Sequence, residues 1–217
     1  MVTTRSASKA VTVASTPNPQ VWYHAPDRAT LLWFAISLPL VIWDSIYVLG
    51  RPHTMEGGFL HWPLWAPYKL YGETDYVYGW KAYNSRNGFT SAQGSLNVIE
   101  TAMYLAYIYL YFNQGKPVGG VLGGEKRVLT GRAAGQAVLI AFSAAVMTLS
   151  KTVLYWACEY FSGFDNIGHN SLPDLILLWI IPNGAWLILP TYMIYVMGGE
   201  IIDGLATASK GANIKSE

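Results

Sequence analysis

Four ionisable side chains lie within otherwise apolar stretches of the sequence: Asp44, Glu100, Lys151 and Glu159. Inserting one such residue into a membrane costs roughly 2.5–3.5 kcal/mol, so those that occur usually face the interior of a helix bundle and serve a function. Asp44 comes late in the first stretch and Glu100 early in the second, so we expect their carboxyl groups to share one depth. Such a pair suits donation and removal of a proton. The alternative is two structural carboxylates, each hydrogen-bonded to a neighbouring helix.

Three polar side chains, Lys151, Tyr155 and Glu159, recur at every fourth position of the third stretch. Residues four apart lie on the same face of a helix, so these form one polar stripe. A buried lysine needs a carboxylate partner or a lowered pKa. The candidates are Asp44, Glu100 and Glu159. A structural ion pair and a catalytic or substrate-orienting role for Lys151 both remain open.

The fourth stretch places an asparagine and two tryptophans on one face: Trp179, Asn183 and Trp186. The face of an indole ring attracts cations, so Trp186 beside carboxyl groups could stabilise a carbocation. The alternative is that it packs against lipid or a neighbouring helix. The expected catalytic residues are Asp44, Glu100, Lys151, Glu159, Asn183 and Trp186. The expected substrate contacts are Trp43, Asn97, Tyr104, Tyr155 and Trp179.

The composition indicates the class of protein. Of the 217 residues, 52% are hydrophobic and 12% charged, about half of the 25% charge of a typical soluble domain. This excludes a disordered chain and a coiled coil, and a net charge of +1 argues against nucleic-acid binding. A single cysteine, Cys158, excludes an intrachain disulfide and Cys-based zinc sites. There is no motif for a metal or a phosphate, so we expect neither metal nor cofactor.

Four apolar stretches are long enough for membrane helices, which need about 20 residues. They are Thr30–Leu49, Leu96–Phe112, Ala133–Phe161 and Leu172–Met197. The sequence therefore predicts an all-α integral membrane protein, with a four-helix bundle over residues 30–197 that encloses a lipid-sized cavity. We expect residues 1–29 to be a disordered tail and residues 198–217 a C-terminal tail.

The distribution of Lys and Arg predicts the orientation. Nine flank the side that carries both termini and four lie in the first connection on the other side. Because positive charge favours the cytosolic side, both termini are expected in the cytosol. The first connection, Gly50 to Ser95, is long and rich in Trp and Tyr. It could form a lid on the lumenal surface or an ordinary interfacial belt of aromatic residues.

Several of these stretches resemble the EXPERA family, which includes the emopamil-binding protein (a sterol Δ8–Δ7 isomerase) and the sigma-two receptor. The resemblance covers roughly Leu31 to Met197 and is carried by NGFTSAQGSLNVIETA, LYWACEYFSGF and NGAWLILP. It implies a four-helix membrane fold around a sterol-sized cavity in the endoplasmic reticulum, often as a homodimer. It assigns cation stabilisation to Asn183 and Trp186, and a catalytic carboxylate to Glu100.

The first stretch departs from the isomerase pattern. The isomerase has a histidine there and a glutamate four residues later, whereas this chain reads SLPLVIWDS, with Pro39 and either Trp43 or Asp44 at those places. The proton-donating histidine is absent. Lys151 also differs from the isomerase, and the Pro–Asp arrangement is closer to the sigma-two receptor.

Three functions follow as hypotheses. The first is an isomerase or cyclase for a terpenoid, sterol-like or polyketide substrate, in which Asp44 or Glu100 is the acid, the other the base, and Trp186 stabilises the cation. The second is a sterol Δ8–Δ7 isomerase with a relocated acid. The third is a non-catalytic sterol-binding or trafficking protein. The expected partners are a hydrophobic small molecule and the lipid bilayer.

Overall fold

The structure, a computed structural model, describes residues 22–118 and 126–213 and is mostly helical. In chain order the helices are α1 (Arg28–Leu49), α2 (Pro67–Thr74), α3 (Trp80–Asn84), α4 (Phe89–Gln114), α5 (Gly131–Phe161), α6 (Leu172–Asp174) and α7 (Ile181–Asn213). A π-helical segment, Leu175–Ile180, joins α6 to α7 without a break.

Three helical runs in the described part of the chain are long and apolar enough to cross a membrane: Arg28–Leu49, Gly131–Phe161 and Leu172–Ser209. They correspond to the first, third and fourth predicted spans. The second predicted span lies within α4, whose 26 residues exceed the length that a membrane requires. However, Asn97, Glu100 and several tyrosines make α4 less apolar. The structure thus supports three of the four predicted spans.

Among the four long helices, α5 contacts both α4 and α7, while α1 packs mainly against α4. The contacting faces of α5 carry small side chains that let neighbouring helices approach closely. Those with no exposed surface are Ala134, Ala137, Val138, Ala141, Ala144 and Ala145. Larger residues of the neighbouring helices, such as Tyr107 and Met193, fill the same core. This arrangement fixes the faces of α4, α5 and α7 relative to one another.

Regular structure extends into both of the predicted tails. Residues 22–29, assigned to a disordered tail, contain strand β1 (Tyr23–His24) and the N-cap of α1, whereas residues 1–21 lie outside the described residues. At the other end α7 continues to Asn213, beyond the predicted end of the fourth stretch at Met197. The residues after 198 include Ala, Ile and Lys, which are compatible with a continuing helix.

A small antiparallel sheet lies at the end of the bundle that carries both ends of the described chain. It has the order β1, β3 (Lys126–Thr130), β2 (Lys116–Val118). His24 of β1 is buried and joins the sheet to two helices, since its Nδ1 lies 2.6 Å from Oε2 of Glu200 and its Nε2 lies 2.8 Å from the hydroxyl of Tyr107.

The aromatic first connection folds back over the other end of the bundle. It contains α2 and α3, and Tyr68 of α2 stacks on Tyr47 of α1 with ring centroids 3.8 Å apart. The turn after α2 is closed by two glycines, because a Cβ at Gly79 would lie 2.4 Å from the carbonyl oxygen of Gly72. The connection is therefore a packed cover rather than a loose loop.

Substituting Gly79 by alanine should destabilise this cover. The backbone of Gly79 has a φ of −91°, which alanine tolerates, so the cost comes from the overlap with Gly72. Overpacking of this kind typically lowers the free energy of unfolding by about 1–3 kcal/mol. The matched control is Gly88→Ala, since a Cβ there meets nothing within 4 Å. Thermal unfolding in detergent should show a lower Tm for Gly79→Ala alone; equal shifts in the two variants would contradict the close approach.

Candidate functional site

A cavity of about 450 Å³ lies between the cover and the long helices. Its volume falls within the range of about 300–1,000 Å³ that is usual for small-molecule sites. Most of its wall is apolar or aromatic. Besides several tyrosines, the polar side chains that line it are Asp44, Thr90, Gln93, Asn97, Lys151, Thr152 and Asn183. A mostly apolar cavity with few polar groups suits a hydrophobic ligand that carries a small number of polar atoms.

Asp44 contributes a carboxyl group to this wall. The hydroxyl of Tyr68 donates to its Oδ1 at 2.7 Å, and the side-chain amide of Asn97 donates to its Oδ2 at 3.3 Å. Both donors are neutral. The contact with Asn97 depends on a close approach of α1 and α4 one turn away, where a Cβ at Gly94 would lie 2.9 Å from Cγ1 of Val48.

Asn97 connects Asp44 with a buried lysine. Its amide donates to Asp44, while its carbonyl oxygen accepts a hydrogen bond from Nζ of Lys151. The same Nζ forms an ion pair with Oε2 of Glu100 at 3.0 Å, and only 9% of the lysine side chain is exposed. Of the three carboxylate partners that the sequence suggests for Lys151, the structure selects Glu100. Asp44 is reached only through Asn97.

Glu100 lies behind this wall rather than on it. Its Oε2 also accepts from the hydroxyl of Thr148 at 2.8 Å, and its Oε1 is buried without a hydrogen-bond partner among the described residues. It borders a second, much smaller cavity of about 10 Å³, also lined by Ser37, Thr101 and Tyr104. A space of this size is close to the minimum for one water molecule. Of the two predicted carboxyl groups, therefore, only Asp44 lines the large cavity.

The π-helical segment presents the fourth stretch to the cavity. Pro182 has no N–H to donate to the preceding turn, and next to it the side-chain amide of Asn183 donates to the carbonyl oxygen of Trp179 at 2.8 Å. Asn183 and Trp186 line the cavity. The ring of Trp186 packs edge-on against Trp33, with centroids 5.1 Å apart. Trp179 shares their helical face but lies outside the cavity wall.

Trp179 instead contacts a carboxylate that the sequence reasoning missed. Asp75, in the cover, has no exposed surface. Its Oδ2 accepts from Nε1 of Trp179 at 2.9 Å and from the hydroxyl of Tyr155, and its Oδ1 accepts from the backbone N–H of Val77 at 3.1 Å. Burial raises the pKa of Asp75 from 3.8 to about 7, against the opposing effect of the Val77 and Trp179 hydrogen bonds. Asp75 thus joins the cover to α5 and to the π-helical segment.

The polar stripe on α5 is divided among three partners. Lys151 pairs with Glu100, and Tyr155 lines the cavity and donates to Asp75. Glu159 is 1% exposed and lies outside the cavity wall, where its Oε1 accepts from the side chain of Asn166 at 2.7 Å. It holds the loop after α5.

The two remaining predicted contacts also differ in position. Trp43 lines the large cavity, and its indole N–H donates to the carbonyl oxygen of Leu64 in the cover at 2.9 Å. Tyr104 lines the small cavity instead, with its hydroxyl 3.3 Å from that of Thr148.

Comparison of the sequence with models of known protein families gives no match, and comparison with curated proteins gives none either. The chemistry of the cavity is therefore inferred from its own side chains. Within the described ranges, no group of three or more His, Cys, Asp or Glu side chains could hold a metal ion.

Proposed function

We propose that this protein is a membrane isomerase or cyclase that moves a proton on a hydrophobic terpenoid, sterol-like or polyketide substrate without a cofactor. The observation that carries the proposal is the position of Asp44. It places one carboxyl group, held by two neutral donors, in the wall of a mostly apolar cavity of about 450 Å³. A carboxyl group in such a setting can add a proton to a substrate carbon and take one from another.

The other side chains of the wall take supporting roles in this proposal. Trp186 offers an aromatic face to positive charge that develops on the substrate. Asn183, beside it, provides a hydrogen-bonding group. Glu100 does not touch the substrate and acts as a positioning residue, because its contact with the cavity is through Lys151. Asp44 is the only one of the two predicted acid–base carboxyl groups with direct access to a ligand.

The proposal includes a four-helix membrane domain of the EXPERA type in the endoplasmic reticulum. In it α4 also crosses the membrane, as the second of four spans, and both termini are in the cytosol. The exposed edge of the cavity supports entry of a lipid-soluble substrate from the bilayer. Leu40, Leu70 and Leu177 line the cavity and are 42%, 55% and 62% exposed. An apolar rim of this kind suits contact with lipid better than contact with water.

The test measures proton transfer itself. Protein in lipid nanodiscs is incubated in deuterium oxide with Δ8 sterols, linear terpenoids and polycyclic polyketides, and deuterium at substrate carbon is detected by mass spectrometry. Asp44→Asn should reduce incorporation by about 10²–10⁴-fold, the usual contribution of a general acid or base. Asp165→Asn is the matched control, because Asp165 is an exposed loop residue paired with Lys81. No incorporation with the wild-type protein, or an unchanged rate in Asp44→Asn, would overturn the proposal.

Non-catalytic lipid binding is the second candidate. One observation favours it: Glu100 is paired with Lys151 behind the cavity wall, so the wall holds only one of the two predicted acid–base carboxyl groups. In this case a sterol binds saturably, its affinity survives Asp44→Asn, and no deuterium enters it. A sterol Δ8–Δ7 isomerase proper is recognised in the same experiment by formation of the Δ7 product.

A further inference from the structure

We infer that the ligand of the large cavity carries a carbonyl oxygen, and that the ammonium group of Lys151 binds it. This deepens the proposed function, on which it rests for the identity of the site. It names the substrate class more closely: a polycyclic or terpenoid ketone rather than a plain hydrocarbon skeleton.

The first observation is the number of hydrogen bonds at Nζ of Lys151. A lysine ammonium has three N–H donors. Two of them are directed to Oε2 of Glu100 and Oδ1 of Asn97. In the described parts of the chain no third acceptor contacts Nζ, and Lys151 lines the large cavity. A charged donor is therefore available to a ligand.

The second observation is that two nearby acceptors are already in use, the side-chain oxygen of Asn97 and the backbone carbonyl oxygen of Lys151. The carbonyl oxygen of Asn97 accepts from Lys151, and its amide donates to Asp44. The side-chain amide of Gln93 donates to the backbone carbonyl of Lys151 at 3.3 Å. An unsatisfied donor beside an apolar cavity is unfavourable. An acceptor oxygen on the ligand removes that penalty.

The charges of the wall argue against an anionic ligand. The positive charge of Lys151 is matched by Glu100, 3.0 Å away, and Asp44 lies one side chain further on. A carboxylate or phosphate would therefore meet no net positive charge. A neutral carbonyl needs only a hydrogen-bond donor from the protein, whereas an alcohol also needs an acceptor for its own O–H group.

A carbonyl held in this way would assist the proposed chemistry. The hydrogen bond from Lys151 draws electron density onto the oxygen and makes the adjacent C–H more acidic. Asp44 takes that proton, and the electron pair of the C–H bond forms a carbon–carbon double bond while the carbonyl becomes an enolate. Where the ligand also carries a carbon–carbon double bond β,γ to the carbonyl, this enolate is a conjugated dienolate. Return of the proton from Asp44 to the γ carbon regenerates the carbonyl and shifts the double bond into conjugation with it. The net result is an isomerisation that consumes no co-reactant.

The test is a comparison of matched ligands on the protein in nanodiscs. The probes are androstanone, androstanol and androstane, which share one skeleton and differ in a ketone, an alcohol or no oxygen. The wild-type protein should bind the ketone at least about tenfold more tightly than the hydrocarbon, as expected for a hydrogen bond from a charged donor. Infrared difference spectra with an isotope-labelled carbonyl should show its stretching frequency lowered in the complex.

The variant that tests Lys151 is the pair Lys151→Met with Glu100→Gln, which removes both charges and leaves neither uncompensated. It should lose both the preference for the ketone and the infrared shift, and measurable binding of the hydrocarbon shows that the variant is folded. Lys81→Met is the matched control, because Lys81 is 44% exposed and pairs with Asp165. Lys81→Met should keep both the preference for the ketone and the infrared shift.

Several results would overturn the inference: no binding of the three probes, equal affinity for ketone and hydrocarbon, tighter binding of the alcohol, or a preference that survives loss of Lys151. None of these measurements needs turnover. Preference for the ketone without deuterium transfer would overturn the proposed function and leave the ligand class standing. Deuterium transfer without that preference would leave the proposed function standing and overturn the inferred ligand class.

Discussion

Replacing Lys151 by methionine should lower the free energy of unfolding by about 3–5 kcal/mol, the usual cost of leaving one partner of a buried ion pair uncompensated. The carboxylate left behind is Glu100, which is 4% exposed. Its Oε2 would retain the hydroxyl of Thr148, and its Oε1 already lacks a partner among the described residues. Loss of the ammonium therefore leaves a buried charge with one hydrogen bond.

The reverse change, Glu100→Gln, should cost less. Lys151 would keep its hydrogen bond to Asn97 and its contact with the large cavity, where solvent or a ligand can reach it. The double variant should be more stable than Lys151→Met alone, because it contains neither unpaired charge. Chemical unfolding of the wild type, the two single variants and the double variant in one detergent gives a double-mutant cycle. Additive effects of the two single changes would contradict a direct interaction between the two side chains.

The outcome of this cycle bears on function as well as on stability. A strongly coupled pair means that Glu100 holds Lys151 in position, and that Asp44 is left as the carboxyl group able to exchange protons with a ligand. A weakly coupled pair would favour the role that the sequence predicts for Glu100, which is that of an acid or base in proton transfer. These two hypotheses differ in which carboxyl group carries the proton. The cycle measures how firmly Glu100 is held by Lys151, and the deuterium experiment with Asp44→Asn identifies the group that transfers the proton.

The apolar stretches of the sequence predict the long helices well, because burial and lipid exposure both require runs of apolar residues. The spacing of polar residues also places Asp44, Asn97, Lys151, Asn183 and Trp186 on faces that line one cavity. The sequence does not predict which carboxylate pairs with Lys151. Helical periodicity fixes a face on one helix but not the axial offset between neighbouring helices, and that offset selects Glu100 over Asp44.

Asp75 shows a second limit of sequence reasoning. It lies in a connection rich in polar and aromatic residues, where a carboxylate is normally exposed to water. Its burial results from a tertiary contact, the packing of the cover on α5 and the π-helical segment. The only hint in the sequence is that Tyr155 and Trp179, in apolar stretches, each need a polar partner. Nothing in their spacing identifies a residue 80 positions away.

Stability should fall as the pH rises from about 4 to about 7 because of Asp75. Burial raises the pKa of this carboxyl from 3.8 to about 7 in the folded protein. Across that interval the folded state keeps a proton that the unfolded state has lost, so the folded state binds more protons and the free energy of unfolding decreases with pH. Below about 4 both states are protonated and above about 7 both are ionised, so this contribution levels off at each end.

The size of the effect follows from the two pKa values. A shift of one unit corresponds to about 1.4 kcal/mol, so the full contribution reaches about 4 kcal/mol. Other carboxyl groups titrate in the same range, and Asp75→Asn therefore provides the comparison. Asparagine should be destabilising at all pH values, because its amide would face the N–H of Val77 or the indole of Trp179.

The quantity to measure is the difference in unfolding free energy between wild type and Asp75→Asn at a series of pH values. The advantage of the wild type should be largest near pH 4 and shrink towards pH 7, whereas Asp174→Asn, at an exposed residue, should not reproduce that trend. A difference that is constant with pH would show that Asp75 is ionised throughout. The three hydrogen bonds it accepts would then outweigh its burial, and Asp75 would fasten the cover over the cavity equally at every pH.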